Sequence, residues 1–368
     1  MSEGEHIATE AVQKADQVIQ KNQGKIDNPL ARFNLNLDGQ NPPVTFDETI
    51  FSAIVDTMAE PPLSEHAVEE LKSPHKFVDA ETGQSLNGLQ VNWDKLGESK
   101  RALLFSPPFN NKIEEGATHY RIQELARYVD EPTLTFDHPS MGNSDKLTDA
   151  QAASLDDGRY TEIARTQLRI MKEMGIKELD CVGQSMGGWA LAEVARHASE
   201  YGIKVHNLVL VDVPAEERSA LDLGKAFAGA GTHLDLYQAV ERDPDMVEAS
   251  GLMKSKFART KEMVKVGVDS VKKDPRRYGS AMAKGKLPEM LKEGIQANPD
   301  MHVTVVDGTI DAVSKTATNR KMVQGLTSEG LGSNIREVHF AGEPHVVMES
   351  AKRFGWFAKT MLSDKPAA

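Results

Sequence analysis

The 368-residue chain has a single cysteine, Cys181, which excludes an intramolecular disulfide. Its neighbours Leu179, Val182 and Gly183 read as a buried strand, so the thiol is expected in the core. No run of about 20 apolar residues occurs, which predicts no membrane span. The start, Met1-Ser2-Glu3-Gly4-Glu5-His6, lacks a basic segment followed by an apolar one, and a cytoplasmic location is expected. Positive charge is in deficit: 43 Lys and Arg against 55 Asp and Glu leave −12, which disfavours nucleic acid and anionic membranes as partners. Glycine-rich phosphate loops and dinucleotide signatures are missing, and no histidine stands at metal-ligand spacing beside clustered Cys or carboxylates. No metal or organic cofactor is expected.

What is present suits a folded chain. Hydrophobic residues at 39% and charged residues at 27% allow a sizeable core and a solvated surface. At roughly 150 residues per domain, the length admits one large domain or two modest ones. Residues 1–74 are polar, with apolar positions at helical spacing from Ile7 to Ile19 and a second helical stretch from Phe51 to Met58. They predict an N-terminal helical accessory arm, for which packing on the core and self-association are both open roles. From residue 76, a hairpin across Glu81-Thr82-Gly83-Gln84 leads into alternating strands and helices, the mark of an α/β chain with a mostly parallel sheet. A Met- and Lys-rich stretch over 214–298 interrupts the alternation and predicts an inserted helical cap, with a core built from 75–213 and 299–368. Met253, Met263, Met282 and Met290 are candidates to line a cavity, though core packing explains any one of them more simply. Lys254, Lys256, Arg259 and Lys261 read as a solvated helix face before a basic patch.

The chemistry concentrates in Leu179-Asp180-Cys181-Val182-Gly183-Gln184-Ser185-Met186-Gly187-Gly188-Trp189, a strand, a tight turn and a helix start in G-x-S-x-G order. Small residues on either side of Ser185 allow the sharp turn that projects its hydroxyl. A serine attacks at neutral pH only when a histidine takes its proton and an acid orients that histidine. Asp311 stands just past the predicted strand Val303–Val306 and is the candidate acid, with Asp307 and Asp212 as alternatives. His345 follows the predicted strand Val338–Ala341 and is the candidate general base. The order Ser185, Asp311, His345, each past a strand end, outweighs the separate readings of a surface histidine and a turn-capping aspartate.

From about residue 76 onward the sequence resembles the α/β-hydrolase superfamily, in its lid-bearing branch of serine hydrolases and esterases. Phe136-Asp137-His138-Pro139-Ser140-Met141-Gly142-Asn143-Ser144 is similar to that family's structural D-x-P-G-x-G-x-S turn, with Ser140 in place of a glycine. Gly308-Thr309-Ile310-Asp311 resembles its acid turn, and Gly342-Glu343-Pro344-His345 its histidine loop with one extra residue. The resemblance implies an acyl-enzyme mechanism with an oxyanion held by the Met186 N–H and one further backbone N–H. Where the family commonly has His-Gly, this chain has Ser106-Pro107-Pro108-Phe109-Asn110. Prolines donate no N–H, which leaves Phe109, with Asn110 as the alternative. The implied substrate is a small acyl compound with an apolar part, cleaved at a carboxylic ester. Peptidase, thioesterase and acyltransferase activities use the same triad. A non-enzymatic scaffold on this fold is the reading from another class.

Overall fold

Short Val-, Leu- and Phe-rich segments form one nine-stranded sheet in the computed structural model, which describes residues 44–47, 55, 60–109, 112–114, 116–219, 273–308, 311, 313–341 and 351–363. The strands are β1 Val44–Asp47, β2 His75–Val78, β3 Ser85–Val91, β4 Arg101–Ser106, β5 Thr133–Phe136, β6 Glu178–Gln184, β7 Lys204–Val211, β8 His302–Gly308 and β9 Ile335–Ala341. Their spatial order is β1-β9-β8-β7-β6-β4-β5-β3-β2. The β2–β3 hairpin pairs antiparallel, as does β3 with β5, and every other pairing is parallel. The expected mostly parallel α/β sheet is therefore present, with the hairpin at one edge.

Helices cover both faces, because parallel strands joined by crossovers bury both sides of a sheet. They are α1 Glu65–Leu71, α2 Gly116–Val129, α3 Asp149–Asp156, α4 Thr161–Glu173, α5 Met186–His197, α6 Lys273–Ala283, α7 Leu287–Ala297, α8 Thr316–Leu326 and α9 Ala351–Ser363. On one face Leu104, Leu179 and Cys181 pack against Leu168 and Met171 of α4, Trp189 and Leu191 of α5 and Leu287 and Leu291 of α7. On the other, Leu103, Phe105 and Val182 meet Ile122 and Leu125 of α2 and Phe354 and Phe357 of α9. Cys181 is fully buried, and burial pushes its thiol pKa far up, consistent with a core residue.

Two features differ in detail from the sequence reading. Val44–Asp47, inside the region read as a helical arm, is a strand parallel to β9. Four residues are too few to show a period, so only the pairing reveals it. Leu287–Ala297, read as part of the cap, lies on α5, with Leu287, Met290, Leu291 and Ile295 buried in the main core. Met282 and Met290 are 2% and 0% exposed and pack in that core. Met253, Met263 and the Lys254–Lys261 run lie outside the described residues. Among the described residues, no helix is long and apolar enough to cross a membrane.

Candidate active site

Parallel β4, β6, β7 and β8 direct their carboxyl ends to one edge of the sheet, and the predicted residues that are described follow those ends. Ser185 links β6 to α5 with φ 50° and ψ −119°, a conformation strained for a residue with a Cβ. The turn is held from both sides. The Ser185 N–H donates to the Val211 carbonyl at 2.7 Å, and the Gly188 N–H donates to the Ser185 carbonyl at 3.0 Å. Close approach explains the flanking glycines. A Cβ on Gly183 would lie 2.7 Å from the Gly188 Cα, and one on Gly187 would lie 2.0 Å from the Ser106 carbonyl oxygen. Either methyl would force the turn or the end of β4 to move.

Met186 opens α5. Its side chain is fully buried, and its N–H belongs to the first helical turn, whose donors have no intrahelical acceptor. The helix dipole adds partial positive charge at the same point. An anion beside Ser185 would meet both. Phe109 follows β4 and is partly buried against the main core cluster. Asn110 and His345 lie outside the described residues.

Asp311 comes three residues after β8 and is 6% exposed. Its Oδ1 accepts the N–H groups of Val313 at 2.6 Å and Ser314 at 2.9 Å, and its Oδ2 accepts the Ser314 hydroxyl. A turn of this kind fixes the carboxylate direction through local backbone donors. Asp307 has other partners. It accepts from His339 Nδ1 at 2.6 Å, Thr316 Oγ1 at 2.8 Å and Asn319 Nδ2 at 3.2 Å, within the packing of α8 on β8 and β9. Asp212 is fully buried with φ 52°, and its N–H donates to the Val306 carbonyl at 2.8 Å, joining β7 to β8.

The turn after β5 is a hub. Buried Asp137 accepts from Asn87 Nδ2 at 2.8 Å, the Ile113 N–H at 2.8 Å and the Asn143 N–H at 3.2 Å. Burial raises its pKa despite those donors. His138, quoted in the sequence only as part of this turn, is fully buried between the end of β4 and α6, and burial lowers its pKa to about 4. Its contact with Ser106 joins chain segments 32 residues apart, so local patterning carries no signal of it.

His66, Glu70 and Asp94 have ligand atoms within 4.8 Å of one another. They stand on α1 and just after β3, whose carboxyl end pairs with the first residue of β5, so they occupy the sheet edge opposite Ser185. A groove of about 520 Å³ lined by Ala215, Pro288, Met322 and Leu326 lies between α7 and α8 and includes none of the predicted site residues.

This topology, with the strained serine between β6 and α5, decides the fold. The chain has the α/β-hydrolase fold. The family model for the α/β-hydrolase fold matches residues 117–241. Among solved structures, an esterase from Rhodococcus shares 19% identity, with 79% of this chain and 99% of that chain covered and a TM-score of 0.51. A serine hydrolase from Cycloclasticus shares 15% identity, with 78% and 96% covered and a TM-score of 0.53. An enol-lactonase from Burkholderia xenovorans shares 15% identity, with 77% and 98% covered and a TM-score of 0.50. No curated protein matches the chain in sequence. In this fold the sheet edge bearing Ser185, Met186 and Asp311 is the candidate active site.

Proposed function

We propose that the chain is a serine hydrolase that cleaves a carboxylic ester, with Ser185 as nucleophile, His345 as general base and Asp311 as the acid that orients it. The observation that carries this reading is the strained Ser185 backbone at the start of α5, since strain of this kind is kept where it presents a side chain for chemistry. Asp311 is preferred to Asp307 because Asp307 is engaged by His339 and two groups of α8. In the reaction, His345 takes the Ser185 proton as Oγ bonds to the acyl carbon. The Met186 and Phe109 N–H groups hold the resulting oxyanion, and the alcohol leaves with the proton from His345. Water, deprotonated by the same histidine, then releases the acid and restores Ser185.

Residues from about 214 up to α7 are assigned to the cap over an apolar acyl pocket, and residues 1–74 to an accessory arm. The esterase and enol-lactonase of the same fold support an oxygen ester as the first substrate class to try. A fluorophosphonate, followed by intact mass, tests the site. Wild type is expected to gain one adduct, and Ser185→Ala and His345→Ala to gain none. An unlabelled, folded wild type would refute the reading. A panel of p-nitrophenyl esters, thioesters and aminoacyl anilides then separates ester, thioester and peptide bonds as the bond cleaved.

A further inference from the structure

Pro107 and Pro108 leave the main chain between Ser106 and Phe109 without N–H groups, so hydrogen bonds can hold it only through its carbonyls or a neighbouring side chain. On one side this stretch lies against the elbow: the Ser106 and Pro107 carbonyl oxygens would stand 2.0 and 2.8 Å from a Cβ on Gly187. On the other lies His138. Its Nε2 is 3.3 Å from Ser106 Oγ, and the Pro107 carbonyl lies near the ring. Burial favours the neutral imidazole; Nδ1 is buried without a hydrogen-bond partner, and Nε2 is the nitrogen that meets the segment.

His138 is itself held from behind. The Tyr278 ring of α6 stands 6.0 Å from it, centroid to centroid. The Tyr278 hydroxyl donates to the Pro139 carbonyl at 2.8 Å, and the Tyr160 hydroxyl donates to the Tyr278 carbonyl at 3.0 Å. Next in the turn, Ser140 has φ 63°. Its hydroxyl donates to Asp274 of α6 at 2.8 Å and accepts the Leu147 N–H at 2.8 Å. The imidazole therefore cannot rotate away without disturbing both the turn and α6.

We propose that His138 is a positioning residue for the oxyanion hole: it clamps the Ser106–Pro107 segment against the elbow, so that the Phe109 and Met186 N–H groups converge on one point. This rests on the serine-hydrolase reading above. His138 touches neither substrate nor Ser185 in this role. Its effect belongs to the tetrahedral transition state, because a loosened donor is missed most where the oxyanion forms.

The test compares wild type, His138→Phe, which keeps a ring without hydrogen bonding, and His138→Gln, whose amide restores a donor and an acceptor. Hydrolysis of p-nitrophenyl butyrate and inhibition by an alkyl trifluoromethyl ketone, which forms a tetrahedral adduct on an activated serine, are measured beside thermal unfolding. His138→Phe is expected to lose about 10- to 100-fold in kcat with KM within about twofold, and to bind the ketone more weakly by a matching factor. His138→Gln is expected to recover part of both losses. Should His138→Phe fail to fold, the same kcat and ketone comparison is read from His138→Gln against wild type. Folded variants with unchanged kcat and ketone affinity, a loss in His138→Gln as large as that in His138→Phe, or a rise in KM in place of the fall in kcat would overturn the clamp while leaving Ser185 as nucleophile. A wild type that forms no adduct at Ser185 would overturn both readings at once.

Discussion

Ser185 is held at a backbone geometry that an isolated serine avoids, and the groups holding it are as informative as the residue itself. Its N–H is tied to β7, and glycines stand at the two positions where a methyl would strike backbone. Gly187 is the sharper case, because its missing Cβ makes room for the Ser106 carbonyl, at the start of the segment proposed to form the oxyanion hole. Gly187→Ala is expected to cost about 1–3 kcal/mol of stability in urea unfolding, the usual range for overpacking. Its kcat on a p-nitrophenyl ester is expected to fall further than the stability loss accounts for, since the displaced segment leads to Phe109. Unchanged turnover in a destabilised but folded variant would remove the oxyanion role of that segment.

Among the elements, α5 is joined to α7 by apolar packing and by a charged cluster. Glu193 of α5 is fully buried and meets Arg159, Arg196 and His197, while Arg159 and Arg196 also reach Glu293 of α7. Burial alone would raise the Glu193 pKa, but His197 and the two arginines outweigh it and hold the carboxyl below its ordinary value. Burial would likewise lower His197, yet its bonds to Glu193 and Glu200 raise it. The depressed carboxyl stabilises the fold above its unfolded value near pH 4.5 and loses that contribution as pH falls through its folded pKa. The raised imidazole contributes fully below about pH 6.5 and loses its share as pH rises through its folded pKa. Stability from this cluster is thus greatest between the two. Glu193→Gln is expected to lose about 1–3 kcal/mol there, since the buried carboxylate no longer neutralises His197 and the half-buried Arg159 and Arg196. Urea unfolding at about pH 4, 5.5 and 8 checks both limbs, and the variant's profile is expected to be the flatter one.

At the scale of the molecule, β1 extends the sheet beyond β9 and covers an edge that would otherwise present unpaired N–H and C=O groups. Exposed parallel edges recruit other strands. Removal of residues 1–48 is therefore expected to raise the mass in solution, as seen by light scattering, and to lower the unfolding midpoint. An arm that itself joined two copies would give the opposite change, a fall in mass. The two roles left open by the sequence are separated by the sign of one measurement.

The sequence by itself determined the class of fold, the strand–turn–helix around Ser185 and the placement of Asp311 past β8, because each depends on neighbours a few residues away. Period, glycine spacing and turn chemistry are local, and the strain at Ser185 is written in Gly183 and Gly187. Tertiary structure decided what depends on distant segments. The pairing of β1 with β9, the packing of α7 on α5 and the engagement of Asp307 by His339 all join residues far apart in the chain. Among the carboxylates, Asp307 and Asp311 look alike in sequence, each beside a strand end, and they differ only in what surrounds them in three dimensions. His138 shows the same limit. Nothing local distinguishes it from any polar turn residue, and its position between Ser106 and α6 arises only when the carboxyl ends of β4 and β5 meet that helix.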